Sequence, residues 1–243
     1  MTIHGLNKLT MLDFPGRLAC TVFTGGCNFR CPFCQNASLV LAPETQPVIS
    51  EEEILSFLKS RKGRLEGICI TGGEPTLFPG LFDFVKKVKE MDYLVKIDTN
   101  GTNPELLGTM MDEGMIDYIA MDIKSSKEHY LKSAGIKEGT EEVEKVMENV
   151  EKSVRLIMER MKEYEFRTTV VKGLHERGDF EAIARWLSGC RAYYLQQYRD
   201  GEDIIGKLYG NSHIVYGSFE KSELEEFVKI LGQKIEHVEI RGI

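Results

Sequence analysis

No run of about 18 uncharged apolar residues, the length needed to cross a membrane, occurs among these 243 residues. Basic residues are in deficit, 31 against 38 acidic for a net charge of −7. The chain therefore lacks the electrostatic footprint of sequence-independent binding to nucleic acid, and neither nucleic acid nor membrane is an expected partner. Residues 1–13 carry charge and no apolar stretch of a secretory signal, so a cytoplasmic location is expected. Linker-like composition is missing too, as is any repeat beyond a strand-helix unit. One domain over residues 1–243 is the simplest organisation, with a core at about 18–200 and a C-terminal helix and strand within about 218–243.

Cysteine is scarce outside one stretch. Cys20 and Cys69 sit in apolar runs and Cys190 ends a helix-like segment, where small buried or free thiols are the ordinary reading. Cys27, Cys31 and Cys34 instead stand in a C-x3-C-x2-C spacing within residues 25–36, GGCNFRCPFCQN. Three thiolates this close together can hold soft metal, and an iron-sulfur cluster normally takes four protein ligands. No fourth cysteine stands nearby and no further C-x2-C pair occurs. One cluster is expected, with one iron left open to a small ligand. A structural zinc site competes, but zinc usually takes four ligands in paired modules, and His4 and His129 form no such pair.

Strand-like runs recur at 18–24, 67–71, 93–99, 118–124, 165–171 and 192–198, with helix-like stretches between and after them. Residues 1–17 read as an extended lead-in turning at Pro15-Gly16, and 237–240 as a strand-like tail. Ser50 with Glu53 forms a capping box, Asn103-Pro104 opens another helix, and the longest helix, about 140–163, carries an apolar stripe that includes Val150, Val154 and Ile157. Six units in strict alternation predict parallel strands with right-handed crossovers, an α/β fold.

The unusual residues fall at successive strand ends: the cysteine loop, Gly72-Gly73-Glu74-Pro75, Asp98-Thr99-Asn100-Gly101, then Asp122 and Lys124. Chemistry gathered at carboxyl ends favours a β/α barrel over a doubly wound sheet. Alternation places Asp122 and Lys124 opposite Ile119, Met121 and Ile123, and Arg167 and Thr169 opposite Phe166 and Val170. A closed small barrel fills with branched apolar side chains, so this polar inner face predicts an open partial barrel with a wet lumen.

The cysteine spacing, with Phe33 just before the last cysteine and Gly72-Gly73-Glu74 after the second strand, resembles the signature of the radical S-adenosylmethionine (SAM) enzymes. Leu12-Asp13-Phe14-Pro15-Gly16 and Phe23-Thr24-Gly25-Gly26-Cys27-Asn28 more narrowly resemble the activating enzymes of glycyl radical enzymes, especially the activases of anaerobic ribonucleoside-triphosphate reductase. The resemblance implies a partial (β/α)6 TIM-like barrel with a short N-terminal extension. It implies a [4Fe-4S] cluster on Cys27, Cys31 and Cys34, with SAM chelating the open iron. Reductive cleavage of SAM would yield a 5'-deoxyadenosyl radical that takes a hydrogen from a glycine α-carbon of the reductase.

The same resemblance implies SAM contacts from Phe33, Gly72, Gly73, Glu74, Asp98, Asn100, Lys124 and Arg167. It further implies a monovalent cation at Asp98, Thr99 and Asp122, and flavodoxin or ferredoxin as electron donor, with no catalytic residue beyond cluster and SAM. Ordinary alternatives stand beside these roles: simple turns at the glycines, and salt bridges from Lys124 and Arg167 to Asp122. Arg199 falls where a relative has histidine, so its role stays open. Residues 125–139 read either as a partner-contact loop or as a surface turn. The competing functions are an activase of another glycyl radical enzyme such as pyruvate formate-lyase, a radical SAM enzyme acting on a small molecule such as a deazapurine precursor, and a non-enzymatic metal-binding or electron-transfer module. The last leaves the glycines and carboxylates at the strand ends unexplained.

Overall fold

The apolar runs assemble into one eight-stranded sheet in which every strand lies beside its sequence neighbours. In this computed structural model, which describes residues 2–137, 141–209 and 216–242, the strands are β1 (Ile3–Thr10), β2 (Ala19–Thr24), β3 (Gly67–Gly72), β4 (Leu94–Thr99), β5 (Tyr118–Asp122), β6 (Tyr164–Val170), β7 (Ala192–Gln197) and β8 (His237–Arg241). Strands β2 to β8 run parallel, and β1 pairs antiparallel with β2. The edge strands β1 and β8 do not pair with each other, so the barrel is partial. Its six expected strands are β2 to β7. The lead-in is more than an extended approach, because β1 is a full member of the sheet, and β8 likewise joins the sheet at the far side. Each covers a polar strand edge that would otherwise present unpaired backbone groups.

The helices are α1 (Ala37–Leu41), α2 (Glu51–Arg61), α3 (Leu81–Lys89), α4 (Pro104–Asp112), α5 (Tyr130–Ala134), α6 (Glu141–Arg160), α7 (Arg177–Trp186), α8 (Ile205–Tyr209) and α9 (Lys221–Leu231). Helix α2 starts at the expected capping box: Ser50 Oγ accepts the Glu53 N–H at 3.2 Å, and the Glu53 carboxylate accepts the Ser50 N–H at 2.9 Å. Asn103 caps α4, its Oδ1 accepting the Leu106 N–H at 3.2 Å, with Pro104 in the first turn. Helix α6 stops at Arg160, short of the expected 163, and Thr140 lies outside the described residues. Its stripe of Val150, Val154 and Ile157 is buried in the main core beside Ile97, Ile119, Met121 and Phe166 of the outer sheet face.

The inner face is polar, as the alternation requires, yet it is not wet along its length. Lys96 and Glu165 are each only 1% exposed. Long charged side chains inside the lumen find opposite charges, within one strand for Lys96 and two strands away for Arg241. Lys96 pairs with Asp98, Arg241 donates two bonds of 2.8 Å to Glu165, and Tyr118 Oη donates a third at 2.8 Å. Below them Phe14, Ala19, Tyr118 and Ala120 form a separate apolar cluster at the amino ends of the strands, with the rings of Phe14 and Tyr118 edge-on at 5.9 Å. Buried charges persist only when paired and hydrogen-bonded, and this floor keeps water from them. The open part of the lumen is the mouth at the carboxyl ends.

This plug yields a test within one motif. Phe14→Ala should lower stability in urea denaturation by about 3–5 kcal/mol, as expected for an emptied buried phenyl site. Leu12→Ala, at a side chain 87% exposed, should leave it within about 0.5 kcal/mol.

Candidate active site

A cavity of about 230 Å³ opens at this mouth. Its wall brings together the three cysteines and Phe33, Gly72 to Glu74, Asp98 to Asn100, Asp122, Lys124 and Arg167. All the residues singled out as metal, SAM or cation ligands thus converge from five separate stretches of chain.

The base of the cysteine loop is seated on the glycine pair through backbone contacts. Gly73 N–H donates to Thr24 O and Glu74 N–H to Gly26 O, both at 2.8 Å. A Cβ on Gly73 would lie 1.8 Å from Gly26 O, and one on Gly72, whose φ is +116°, 2.4 Å from Thr24 O. The glycines permit close approach by the base of the cysteine loop. Asn36 Nδ2 donates to Gly72 O at 3.0 Å and fixes the loop's far end. Glu74 turns its carboxylate into the protein, accepting Thr76 Oγ1 at 2.6 Å, Thr99 Oγ1 at 2.7 Å and the Asn100 N–H at 2.6 Å. It thereby ties the β3 loop to the end of β4. Burial raises its pKa and these bonds offset part of the rise.

Charge is ordered across the opposite wall. Arg167 donates from Nε to Asp122 at 2.5 Å and reaches Asp98 from Nη2 at 3.1 Å. Lys124 Nζ lies 3.0 Å from the other Asp122 oxygen and 6.0 Å from the Phe33 ring centroid. Burial pushes both aspartates up, but Arg167 more than offsets this, aided by Lys124 at Asp122 and by Lys96 at Asp98, so both carboxyls sit below their ordinary range. Burial opposes the Lys124 charge, and Asp122 overcomes it, so Lys124 stays protonated. Thr99 and the two aspartates, the expected cation ligands, already have protein partners.

Burial raises all three thiols: Cys27 to about 11, with the Glu74 charge adding to it, Cys31 to about 12, and Cys34 in the same direction. Metal binding must therefore displace thiol protons. Among the described residues no three His, Cys, Asp or Glu side chains converge tightly enough for a single metal ion. A polynuclear cluster takes each thiolate on a different iron and needs no such convergence.

Other residues were not legible as site residues. Buried His175 donates from Nε2 to Lys124 O at 2.8 Å while its Nδ1 accepts the Val171 N–H at 3.0 Å. Burial lowers its pKa, so the neutral ring holds the end of β5. A strap around α8 crosses the cysteine loop: Ile205 and Gly206 donate their N–H groups to Cys34 O at 3.2 Å and Pro32 O at 2.8 Å. Arg199 stays outside the cavity, and its Nη2 donates to Gly242 O at 2.9 Å.

Residues 125–137 are no free surface turn; 138 and 139 lie outside the described residues. Ser125, Ser126, Tyr130, Ser133 and Ala134 are buried, and Arg30 N–H donates to Ala134 O at 2.9 Å. The segment packs against the cysteine loop because Gly135, at φ +67°, ends α5 directly on the Arg30 carbonyl.

Replacing Gly73 separates contact from conformation. Gly73→Ala should cost more than about 3 kcal/mol in chemical denaturation, since backbone must move. Gly63→Ala, at a positive φ of +78° in open space, should cost only about 1–2 kcal/mol.

Residues 21–187 match the family model described as the radical SAM superfamily. A Methanocaldococcus jannaschii protein, provisionally named a glycyl-radical enzyme activating enzyme, is 31% identical over 245 residues, 99% of this chain and 96% of that one. A 7-carboxy-7-deazaguanine synthase of Neisseria meningitidis is 33% identical over 110 residues, 45% of each. Among solved structures, Streptococcus suis SuiB bound to S-adenosylmethionine matches with a TM-score of 0.64 over 90% of this chain and 49% of that one, at 14% identity, a likeness of fold. Since the family match spans most of the chain and the likeness to the archaeal protein runs its whole length, the chain is an enzyme that belongs to the radical SAM superfamily.

Proposed function

We propose that this radical SAM enzyme is a glycyl-radical activase whose partner is an anaerobic ribonucleoside-triphosphate reductase. The reading is carried by the likeness, over 99% of the chain, to a protein named for glycyl-radical activation. The choice of reductase rests on the resemblance of Leu12 to Gly16 and Phe23 to Asn28 to its activases.

Family membership implies a [4Fe-4S] cluster and SAM, and the cavity residues fit both. Cys27, Cys31 and Cys34 would hold the cluster by their sulfurs. When bound, cluster and SAM supply a one-electron reductive cleavage whose product takes a hydrogen atom from the substrate. The chain contributes positioning. Lys124, held charged by Asp122, offers its remaining donors to the SAM carboxylate. Arg167 is held between Asp98 and Asp122 and orients them. In that place it supplies the positive charge that a monovalent cation at Asp98, Thr99 and Asp122 would bring. Gly72, Gly73 and Phe33 shape the wall, and Glu74 fixes it from behind. The electron comes from a one-electron donor of the flavodoxin or ferredoxin class.

The test is electron paramagnetic resonance of the anaerobically reconstituted, reduced protein mixed with SAM and its own organism's reductase, with 5'-deoxyadenosine assayed alongside. A glycyl radical signal that needs both proteins, and that Cys31→Ala abolishes, is the expected result. The partial likeness to a deazaguanine synthase supports a second reading, in which the substrate is a small polar molecule. Deoxyadenosine without a protein radical would favour that reading or another glycyl radical enzyme.

Lys124→Ala should weaken SAM binding by about ten- to hundredfold, the worth of a hydrogen bond to a charged group, while the iron content is unchanged. Unaltered affinity in calorimetry would remove Lys124 from the site.

A further inference from the structure

Asn100 ends β4 with its side-chain amide against the cysteine loop. Its Nδ2 lies 2.8 Å from Asn28 Oδ1 and 3.8 Å from Cys27 Sγ. Its Oδ1 accepts the Thr102 N–H at 3.0 Å and the Thr102 hydroxyl at 2.7 Å. Thr102 Oγ1 in turn accepts Asn28 Nδ2 at 2.9 Å. These bonds close a ring of three side chains, which is anchored behind by Asn149 Nδ2 on Thr102 O at 2.9 Å and Ser153 Oγ on Gly101 O at 2.7 Å.

The ring decides which way the amide faces. Inverting it would set the NH2 group against the Thr102 N–H, which can only donate, and the oxygen against the Cys27 sulfur, so the NH2 group faces Asn28 and Cys27. Asn100 is only 4% exposed, and water does not compete. A carboxamide has two donors and two acceptor lone pairs, and all four are engaged within the protein. The side chain is thereby committed to partners within the protein, whereas the sequence resemblance implied a SAM contact for it.

We infer that Asn100 is a positioning residue that holds an N–H on the Cys27 sulfur and thereby sets the reduction potential of the cluster. The inference rests on the reading of Cys27 as a cluster ligand. Hydrogen bonds to ligating sulfurs tune such potentials. The electron taken up on reduction increases the negative charge shared with the sulfurs, so an N–H donor stabilises the reduced form more than the oxidised one. Cys27 Sγ also accepts the Phe29 N–H at 3.3 Å from its own loop. The Asn100 bond comes from a different strand, and it makes the electronic state of the cluster sensitive to the geometry of the barrel mouth.

The experiment is a redox titration of the reconstituted holoprotein, without SAM, followed by electron paramagnetic resonance. It compares the natural chain with Asn100→Leu, which keeps the bulk and loses the N–H, and Thr102→Val, which keeps Asn100 and loses one group that orients it. The expected result is a more negative midpoint in Asn100→Leu, up to about tenfold in the reduction equilibrium or ~59 mV for one electron, and a smaller shift of the same sign in Thr102→Val. If Asn100→Leu assembles no cluster, Thr102→Val decides alone. An unchanged midpoint in a variant that carries its full cluster overturns the inference, as does a loss of SAM affinity in Asn100→Leu with no change in potential. A natural chain that takes up no four-iron cluster would instead overturn the underlying reading of Cys27.

Discussion

The site depends on one backbone contact, the seating of Gly72-Gly73 against Thr24 to Gly26. Two hydrogen bonds of 2.8 Å join the segments, and the 1.8 Å between Gly26 O and a Cβ placed on Gly73 leaves no room for any side chain. Because β2 and β3 are adjacent and parallel, the two loops leave the sheet side by side. The contact turns that adjacency into a fixed height for the cysteine loop above the lumen. Glu74 carries the constraint onward, since its buried carboxylate grips Thr99 and Asn100 at the end of β4. Misplacement at the glycines would therefore reach both walls of the cavity.

A second constraint comes from charge in a space sealed below. Asp98, Asp122, Lys96, Lys124 and Arg167 share one inner face. Any one of them alone would be costly to bury. Together they form a network in which Arg167 bridges the two aspartates while Lys124, at the upper rim, has donors to spare. The arrangement separates the pairs by depth: those near the floor stabilise the lumen, and those at the rim line the cavity. Such a network is preorganised, so little reorientation of charge is needed when a charged ligand arrives.

Helices and loops outside the barrel add a further layer. Residues 125–137 press on the cysteine loop through Gly135 and Arg30, and the strap around α8 holds Pro32 and Cys34 from the other side. His175 fixes the backbone of Lys124 with a neutral ring. With the glycine pair below it, the cysteine loop is thus braced from three directions although residues 25–36 contain no regular secondary structure.

Much of this was legible in the residues alone. Periodicity marks the six parallel strands and their polar inner face, because side chains alternate with a period of two whatever the tertiary context. The spacing of Cys27, Cys31 and Cys34, and the glycines and carboxylates at successive strand ends, identify the cavity wall, since parallel strands must deliver all their carboxyl ends to one rim. Partnership across long separations could not be read this way. Nothing local to Asn28 or Thr102 announces a ring with Asn100, nothing near 203–206 announces a strap, and the alternation that made the lumen polar could not say whether water or opposite charge would fill it. Those outcomes depend on which strands become neighbours and how far their side chains reach, and only the folded chain decides that.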